Sequence, residues 1–323
     1  MDIDQIRAAE ARLKGYVRHT PLLSSPFLDD IAGRRVLVKA ECLQHTGSFK
    51  FRGGWSAVSA LTDAQRRAGV IAFSSGNHAQ GVAIAAQAHD APCVIIMPAD
   101  APAVKIQNTR DLGAEVVLYD RDNEVREEIG DKIAADRGLT LIKPFDEPLV
   151  IAGQGTCGIE IAKQSAAAQV TNADVLVCCG GGGLTSGIAL ALEADAPGLK
   201  VRPVEPEGFD DVARSLVSGR IEHNTRASGS LCDAIITKQA GDLTFPIMQE
   251  HCGPGIVVTE NECLRAMAHA FERLRIVIEP GGAAALAAAL FHPNASKGDA
   301  VIAVATGGNV DRAVFIKALE TLK

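Results

Sequence analysis

The sequence predicts an α/β fold in two closely packed lobes, each a mostly parallel sheet flanked by helices. Three observations carry that prediction. Short β-branched runs alternate with helical stretches from about residue 34 onward. The runs are apolar on both faces, as strands enclosed between helix layers must be. No low-complexity tether or fixed-period repeat separates the halves, and 323 residues, 47% hydrophobic, exceed what one domain usually needs.

Taken in order, MDIDQIRAAEARLKG reads as an amphipathic helix capped near Asp2, with Ile3, Ile6 and Leu13 turned inward. Strands are expected at RVLVKAE, VIAFSS, CVIIMP, EVVLYD, LTLIKPF, DVLVCCGGGG, LKVRPVEPE and AVIAVATGG. Helices fall between them at AQGVAIAAQAHD, NEVREEIGDKIAADRG and CLRAMAHAFERLR. The Ala-rich GGAAALAAALF at 281–291 is too short to span a membrane and reads as a buried helix.

A net charge of −7 and a pI near 5.6 offer no basic field for nucleic acid or an anionic membrane. The eight cysteines have neither zinc-site spacing nor the density of a disulfide scaffold, which fits a reduced cytoplasmic protein. The charged N-terminus is unlike a secretory signal, and no apolar run reaches membrane-spanning length.

Open α/β sheets place ligands at the carboxyl ends of their strands, and three such loops are unusual here. Gly180 to Gly183 lie between an apolar strand and a helix, so successive N–H groups and the helix dipole can form an anion cradle. The loop lacks the Lys-Ser/Thr ending of a nucleotide P-loop and the spacing of a dinucleotide fingerprint, so a lone phosphate monoester is the better guest. SSGNHAQG, Ser74 to Gly81, sets hydroxyl, amide and imidazole groups at another helix start, although an N-cap by a serine or Asn77 would explain it alone. ATGGNVD puts Thr306 before a glycine pair, where it caps a turn or touches a ligand.

HTGSFKFRGG, residues 45–54, sets Lys50 between two phenylalanines. Read locally, this is an exposed lysine with inward aromatic flanks, or a desolvated amine of lowered pKa able to attack a carbonyl. A phosphate cradle, a carboxylate-reading turn, a hydroxyl at a strand end and such a lysine are together the parts that pyridoxal phosphate and an amino acid need.

HTGSFKFRGG, SSGNHAQG, AGQGT, CGGGGL, VEPE, EPGGAAALAA and ATGGNVD follow in this order over nearly the whole chain. That series resembles the fold type II pyridoxal phosphate enzymes, the tryptophan synthase β-like group of serine/threonine dehydratases, serine racemases and 3-hydroxyaspartate dehydratases. The resemblance implies a large cofactor-binding domain at 1–68 and 147–323, a small domain at 69–146, and a homodimer. It implies that Lys50 binds the cofactor and moves the Cα proton, and that Gly180, Gly181, Gly182 and Gly183 hold the phosphate. Phe49, Leu184 and Glu279 lie near the cofactor, Asn77 meets its phenolic oxygen, and Thr306 faces the pyridine nitrogen, where serine is common. A neutral hydroxyl there leaves the ring a moderate electron sink, suited to prompt loss of a β-leaving group.

Ser74, Ser75, Asn77 and His78 correspond to the substrate carboxylate turn, and Ser75 to the racemases' second acid/base. Arg126 matches an arginine directed at the substrate's distal end, where a guanidinium fork could hold a second carboxylate; from the sequence it is equally an exposed helix arginine paired with nearby glutamates. Glu205, the Phe209 carbonyl and Asp211 match a site for Mg2+, or Ca2+ or Mn2+, and otherwise read as an acidic surface loop.

The expected activity is β-elimination from a β-hydroxy amino acid, with 3-hydroxyaspartate ahead of serine and threonine, giving a 2-oxo acid and ammonia. A serine- or aspartate-type racemase with side dehydratase activity is the alternative. A non-catalytic nucleotide-binding module would have no use for Lys50. The chain stops soon after ATGGNVD, so a regulatory domain and feedback by isoleucine are not expected.

Overall fold

The computed structural model describes residues 1–322 apart from 75, 102, 121–122, 227 and 296–297. Among these, strands β1 (Leu22–Ser24), β2 (Arg35–Lys39), β3 (Val70–Phe73), β4 (Cys93–Pro98), β5 (Glu115–Tyr119), β6 (Thr140–Leu141), β7 (Ala173–Cys178), β8 (Leu199–Pro206), β9 (Ile256–Val258) and β10 (Ala300–Val304) form two sheets. The larger runs β1-β2-β10-β7-β8-β9 and the smaller β5-β4-β3-β6. Every pairing between neighbouring strands is parallel except β1 with β2. All eight strands expected from sequence form. The two additions, β1 and β9, are edge strands of three residues, too short to show a period of two.

Alternation within strands distributes side chains to opposite layers. Val36 and Val38 of β2, Leu176 and Cys178 of β7, and Val301 and Ala303 of β10 pack into one core with the helix Pro280–Phe291. Their neighbours Leu37, Val175, Val177, Ile302 and Val304 face the other way, onto Ile161 and Ile188 of the helices Pro148–Ala167 and Gly183–Asp195. Each such side chain contributes about 1.5–3 kcal/mol by leaving water. The double burial explains why these strands read as unbroken apolar runs. The helix 281–291 is buried almost throughout, as its composition requires.

The N-terminal helix Ile3–Leu13 starts from Asp2, whose side chain and that of Gln5 form a reciprocal cap. Ile6 and Leu13 are fully buried, and Ile3 is half-buried. The expected helix through CLRAMAHAFERLR is the α-helix Glu260–His269 followed by a π-helical turn, Ala270–Leu274, that stops at Arg275 with φ 61°.

The helix Lys50–Ser59 packs against the helix Asn77–Ala88 at backbone distance, because a Cβ on Gly81 would lie 2.8 Å from the Lys50 carbonyl oxygen. Its depth is fixed by charge. Arg52 donates Nε and Nη2 to the two oxygens of Glu41, at 2.8 and 2.7 Å, and Nη1 to Glu160 at 2.8 Å. Lys39 Nζ binds the second Glu160 oxygen. Burial alone would raise the Glu41 pKa, but Arg52, Lys39 and the Thr20 hydroxyl together outweigh it and hold this carboxyl low.

Candidate active site

Three strand ends and the lysine segment converge. Backbone pairing zips residues 47–49 to 306–308: Phe49 N–H donates to the Thr306 carbonyl at 3.1 Å, Gly308 N–H to the Gly47 carbonyl at 2.9 Å, and Ser48 bridges Gly307. HTGSFK and ATGGN, some 260 residues apart, therefore build one wall.

Lys50 opens its helix, and its Nζ donates to the Pro144 carbonyl at 2.7 Å. The Phe49 ring centroid lies 5.1 Å from that nitrogen. No carboxylate among the described residues pairs with the amine, and burial pushes its pKa down to about 8. Lys50 is half-buried as a residue, with its amine turned onto the Pro144 carbonyl, which favours the desolvated lysine over the exposed one of the two local readings.

His78, in the first turn of Asn77–Ala88, is 3% exposed, and its Nε2 lies 2.9 Å from the Ile142 carbonyl. A carbonyl only accepts, so Nε2 carries the hydrogen and Nδ1 is a bare acceptor. Burial, then Lys50, pushes the imidazole pKa down to about 3. Lys50 and His78 thus end on carbonyls two residues apart, just past β6. Ser74 Oγ accepts from Gly76 N–H at 3.1 Å. Ser75 lies outside the described residues.

Asn77 is held at both ends of its amide. Its Nδ2 donates to Glu279 Oε1 at 2.6 Å, and its Oδ1 accepts from Asn309 Nδ2 at 2.7 Å. Asn309 also donates to the Thr46 carbonyl at 2.8 Å. Burial raises the Glu279 pKa to about 7. Thr306 is 4% exposed, against the Cys178 thiol beneath it.

After β7 the chain turns through Gly180–Gly182 into the helix Gly183–Asp195, with Leu184 buried in its first turn. Gly182 has φ +90° and no side chain caps the helix, leaving its first N–H groups open to an anion. Phe145 lies on Gly181 where any Cβ would collide, and Thr244 Oγ1 secures the Gly181 carbonyl at 2.6 Å. Around this space Ser48, His78, Gln154 and Thr237 carry buried polar atoms with no hydrogen-bond partner among the described residues. Such a concentration fits a polar ligand between Lys50 and the glycine corner.

Two expected groups stand apart from this convergence. Arg126 begins the helix Arg126–Arg137, where its exposed guanidinium binds Glu127 at 2.7 Å. Glu205 caps the helix Asp211–Ser218 by accepting from Val212 and Ala213 N–H at 2.9 and 2.7 Å. Asp211 Oδ1 accepts from Asn224 at 2.5 Å, Oδ2 is buried without a partner among the described residues, and Phe209 is 1% exposed. Burial and then Asp211 push the Glu205 pKa well above the carboxylate range, and burial brings Asp211 to about 6. Among the described residues no three His, Cys, Asp or Glu side chains group as a metal site.

Sequence reading missed Pro144, Asn309 and the Arg52 cluster. A carbonyl acceptor carries no residue-type signal, and Arg52 and Asn309 sat inside quoted motifs without an assigned partner.

The chain is 44% identical over 308 residues to L-threo-3-hydroxyaspartate ammonia-lyase of Pseudomonas sp, covering 95% of each. It is 39% identical to serine racemase of Schizosaccharomyces pombe, covering 95% of this chain and 94% of that one. The crystal structure of a T.th. threonine deaminase superposes with a TM-score of 0.90 at 42% identity, over 96% of this chain and 99% of that one. The family model described as pyridoxal-phosphate dependent enzyme matches residues 13–307. With that match spanning the lysine, the amide turn and the glycine corner, the chain belongs to the pyridoxal-phosphate dependent enzymes.

Proposed function

We propose that the protein is an ammonia-lyase that eliminates water from 3-hydroxyaspartate and releases a 2-oxo acid and ammonia; water lost in the elimination is returned in hydrolysis of the product imine. The observation that carries the reading is the desolvated Lys50 amine, without a carboxylate partner among the described residues, in the same site as the uncapped glycine corner. The 44% identity to an L-threo-3-hydroxyaspartate ammonia-lyase supports the substrate class.

Lys50, Phe49, Asn77, Gly180–Gly183, Leu184, Glu279 and Thr306 would hold pyridoxal phosphate, and the unsatisfied polar atoms around them fit that group. When bound, it supplies an electron sink for loss of the Cα proton. The chain's own work is proton handling and orientation. Lys50 Nζ, with its lowered pKa, takes the Cα proton near neutral pH. Asn77, clamped by Glu279 and Asn309, presents an amide of fixed orientation to the phenolic oxygen. Ser74, Ser75, Asn77 and the backbone N–H of His78, in the uncapped first turn of its helix, receive the α-carboxylate, Ser75 serving also as acid/base on the opposite face. To hold the second carboxylate of the substrate, Arg126 would have to leave Glu127 and its exposed place outside the convergence.

Lobes 1–68 with 147–323, and 69–146, form the large and small domains; the separation of β3–β6 from the larger sheet supports that division. Glu205, the Phe209 carbonyl and Asp211 would hold Mg2+, or Ca2+ or Mn2+: the unpartnered Asp211 oxygen and a proton-attracting Glu205, whose oxygens also accept from Val212 and Ala213, suit a hard cation. A second copy covers Phe27, Ile31, Phe271, Val277 and Ile316, which are exposed, with Arg273 over Phe27 and Phe271 against Phe315 tying the patch together. Eight free cysteines favour the cytoplasm, and no described helix is long and apolar enough to cross a membrane.

Purified enzyme incubated with the isomers of 3-hydroxyaspartate, serine and threonine, with ammonia and each enantiomer quantified, tests the reading. 3-Hydroxyaspartate should lead. Threonine leading by a wide margin would remove the role of Arg126, and enantiomer forming faster than ammonia would make the protein a racemase.

A further inference from the structure

Gln154 lies in the AGQGT stretch, and none of the roles above uses it. Its side chain is completely buried, yet neither the amide nitrogen nor the oxygen has a hydrogen-bond partner among the described residues. Burying both ends of a carboxamide unsatisfied is unfavourable unless a ligand completes them.

Its position is fixed from two sides. A Cβ on Gly183, the first residue of the helix after the glycine corner, would lie 2.7 Å from Gln154 Oε1. A Cβ on Gly53, one turn beyond Lys50, would lie 3.1 Å from Nε2. The carboxamide therefore fills the gap between the lysine helix and a helix N-terminus that no side chain caps. With neither end bonded, rotation about the last side-chain torsion exchanges them freely, and an anion at that terminus selects the orientation that turns the NH2 toward it. A carboxamide adds a donor there without placing a second cation beside Lys50.

We propose that Gln154 is a cofactor-binding residue whose carboxamide donates a hydrogen bond to the phosphate held by Gly180–Gly183. This rests on the reading of that corner as the phosphate cradle. Backbone amides then grip the phosphate from the loop, and Gln154 grips it from the Pro148–Ala167 helix below.

Gln154→Met keeps the length of the side chain and removes both polar atoms. Full-length apoprotein, wild type and variant, is titrated with pyridoxal phosphate and separately with pyridoxal. The variant should bind pyridoxal like wild type but pyridoxal phosphate at least tenfold more weakly, and its apoprotein should melt no lower, since two unsatisfied atoms are gone. Gln154→Glu gives an independent reading: the phosphorus-31 resonance of the holoenzyme should shift, and the loss of phosphate affinity should ease as pH falls. An undiminished preference of Gln154→Met for pyridoxal phosphate over pyridoxal overturns the proposal. So does equal weakening of both ligands with a lower melting midpoint, which marks a packing role, or an unmoved phosphorus resonance in Gln154→Glu. If wild type itself shows no preference for the phosphorylated ligand, the cradle reading fails instead, and the two failures are distinct.

Discussion

Lys50 and Arg52 stand two residues apart in one helix, and their surroundings are opposites. Arg52 and its neighbour Lys39 meet Glu41 and Glu160 in a closed set of bonds, with every charge buried and matched. Lys50 meets a single backbone carbonyl and an aromatic face, and is surrounded by polar atoms without partners among the described residues. Within one turn the chain passes from charges held for structure to a charge left suppressible. Rigidity on the Arg52 side lets Lys50 remain unpaired without the helix shifting to find it a carboxylate. Satisfied networks fix position, and unsatisfied groups mark where a ligand completes the fold.

Replacing Lys50 should break the comparison most completely. Lys50→Ala removes the amine that takes the Cα proton, and turnover should fall by about three orders of magnitude or more. The yellow absorbance of covalently held cofactor should vanish while the melting midpoint of the apoprotein does not fall; retained turnover would end the assignment. On the other side of the helix, Glu41→Gln leaves Arg52 buried with one anion where it had two. Stability should drop by about 3 kcal/mol, read by urea unfolding, with any surviving folded enzyme keeping its absorbance. A cost below about 1 kcal/mol, the range of exposed pairs, would show that the cluster is wetter than its geometry implies.

The contrast also explains what the sequence disclosed. The larger sheet and the centre of the smaller were legible because strands such as DVLVCC, AVIAV, VIAF and CVIIMP are buried on both faces, and burial writes itself as an apolar run. The family was legible from motif order, and the match over residues 13–307 bears it out. Lys50 stood out because its aromatic flanks conflict with a charge. The groups that hold it did not: Pro144 acts through its backbone, Glu160 lies 108 residues from Arg52, and Glu41, 11 residues away, sits on a separate turn with no local pattern to pair them. Asn309 was visible inside ATGGNVD, but its bond to Asn77 spans 232 residues, a pairing no local pattern encodes. Arg126 was legible as a residue type, and its partner in the structure is the neighbouring Glu127.

Arg126→Ala sharpens the comparison at the substrate. Losing a charge-assisted fork of about 2 kcal/mol should raise KM for 3-hydroxyaspartate roughly thirtyfold and leave serine nearly unchanged. Equal effects on both substrates would return Arg126 to the surface pair it forms with Glu127.

The last effect, read as a slope with pH and not as a loss at one pH, concerns the buried carboxyl of Glu279. It has no cation bonded to it among the described residues, only Asn77, and burial lifts its pKa from 4.5 to about 7. Between those values the folded protein binds a proton that the unfolded chain has released, so Glu279 makes stability fall as pH rises, by up to about 1.4 kcal/mol per pH unit. His78 acts with the opposite sign: its pKa drops from 6.5 to about 3, so the unfolded chain binds the extra proton and stability rises with pH across that interval. The two contributions oppose each other between 4.5 and 6.5. Glu279→Gln keeps an amide to meet Asn77 and removes one of them. Urea unfolding of the apoprotein at several pH values in that interval should then show stability climbing more steeply in the variant than in wild type. Parallel curves would mean that Glu279 is already ionised in the fold, and that the site tolerates a buried anion as well as it tolerates an unpaired amine.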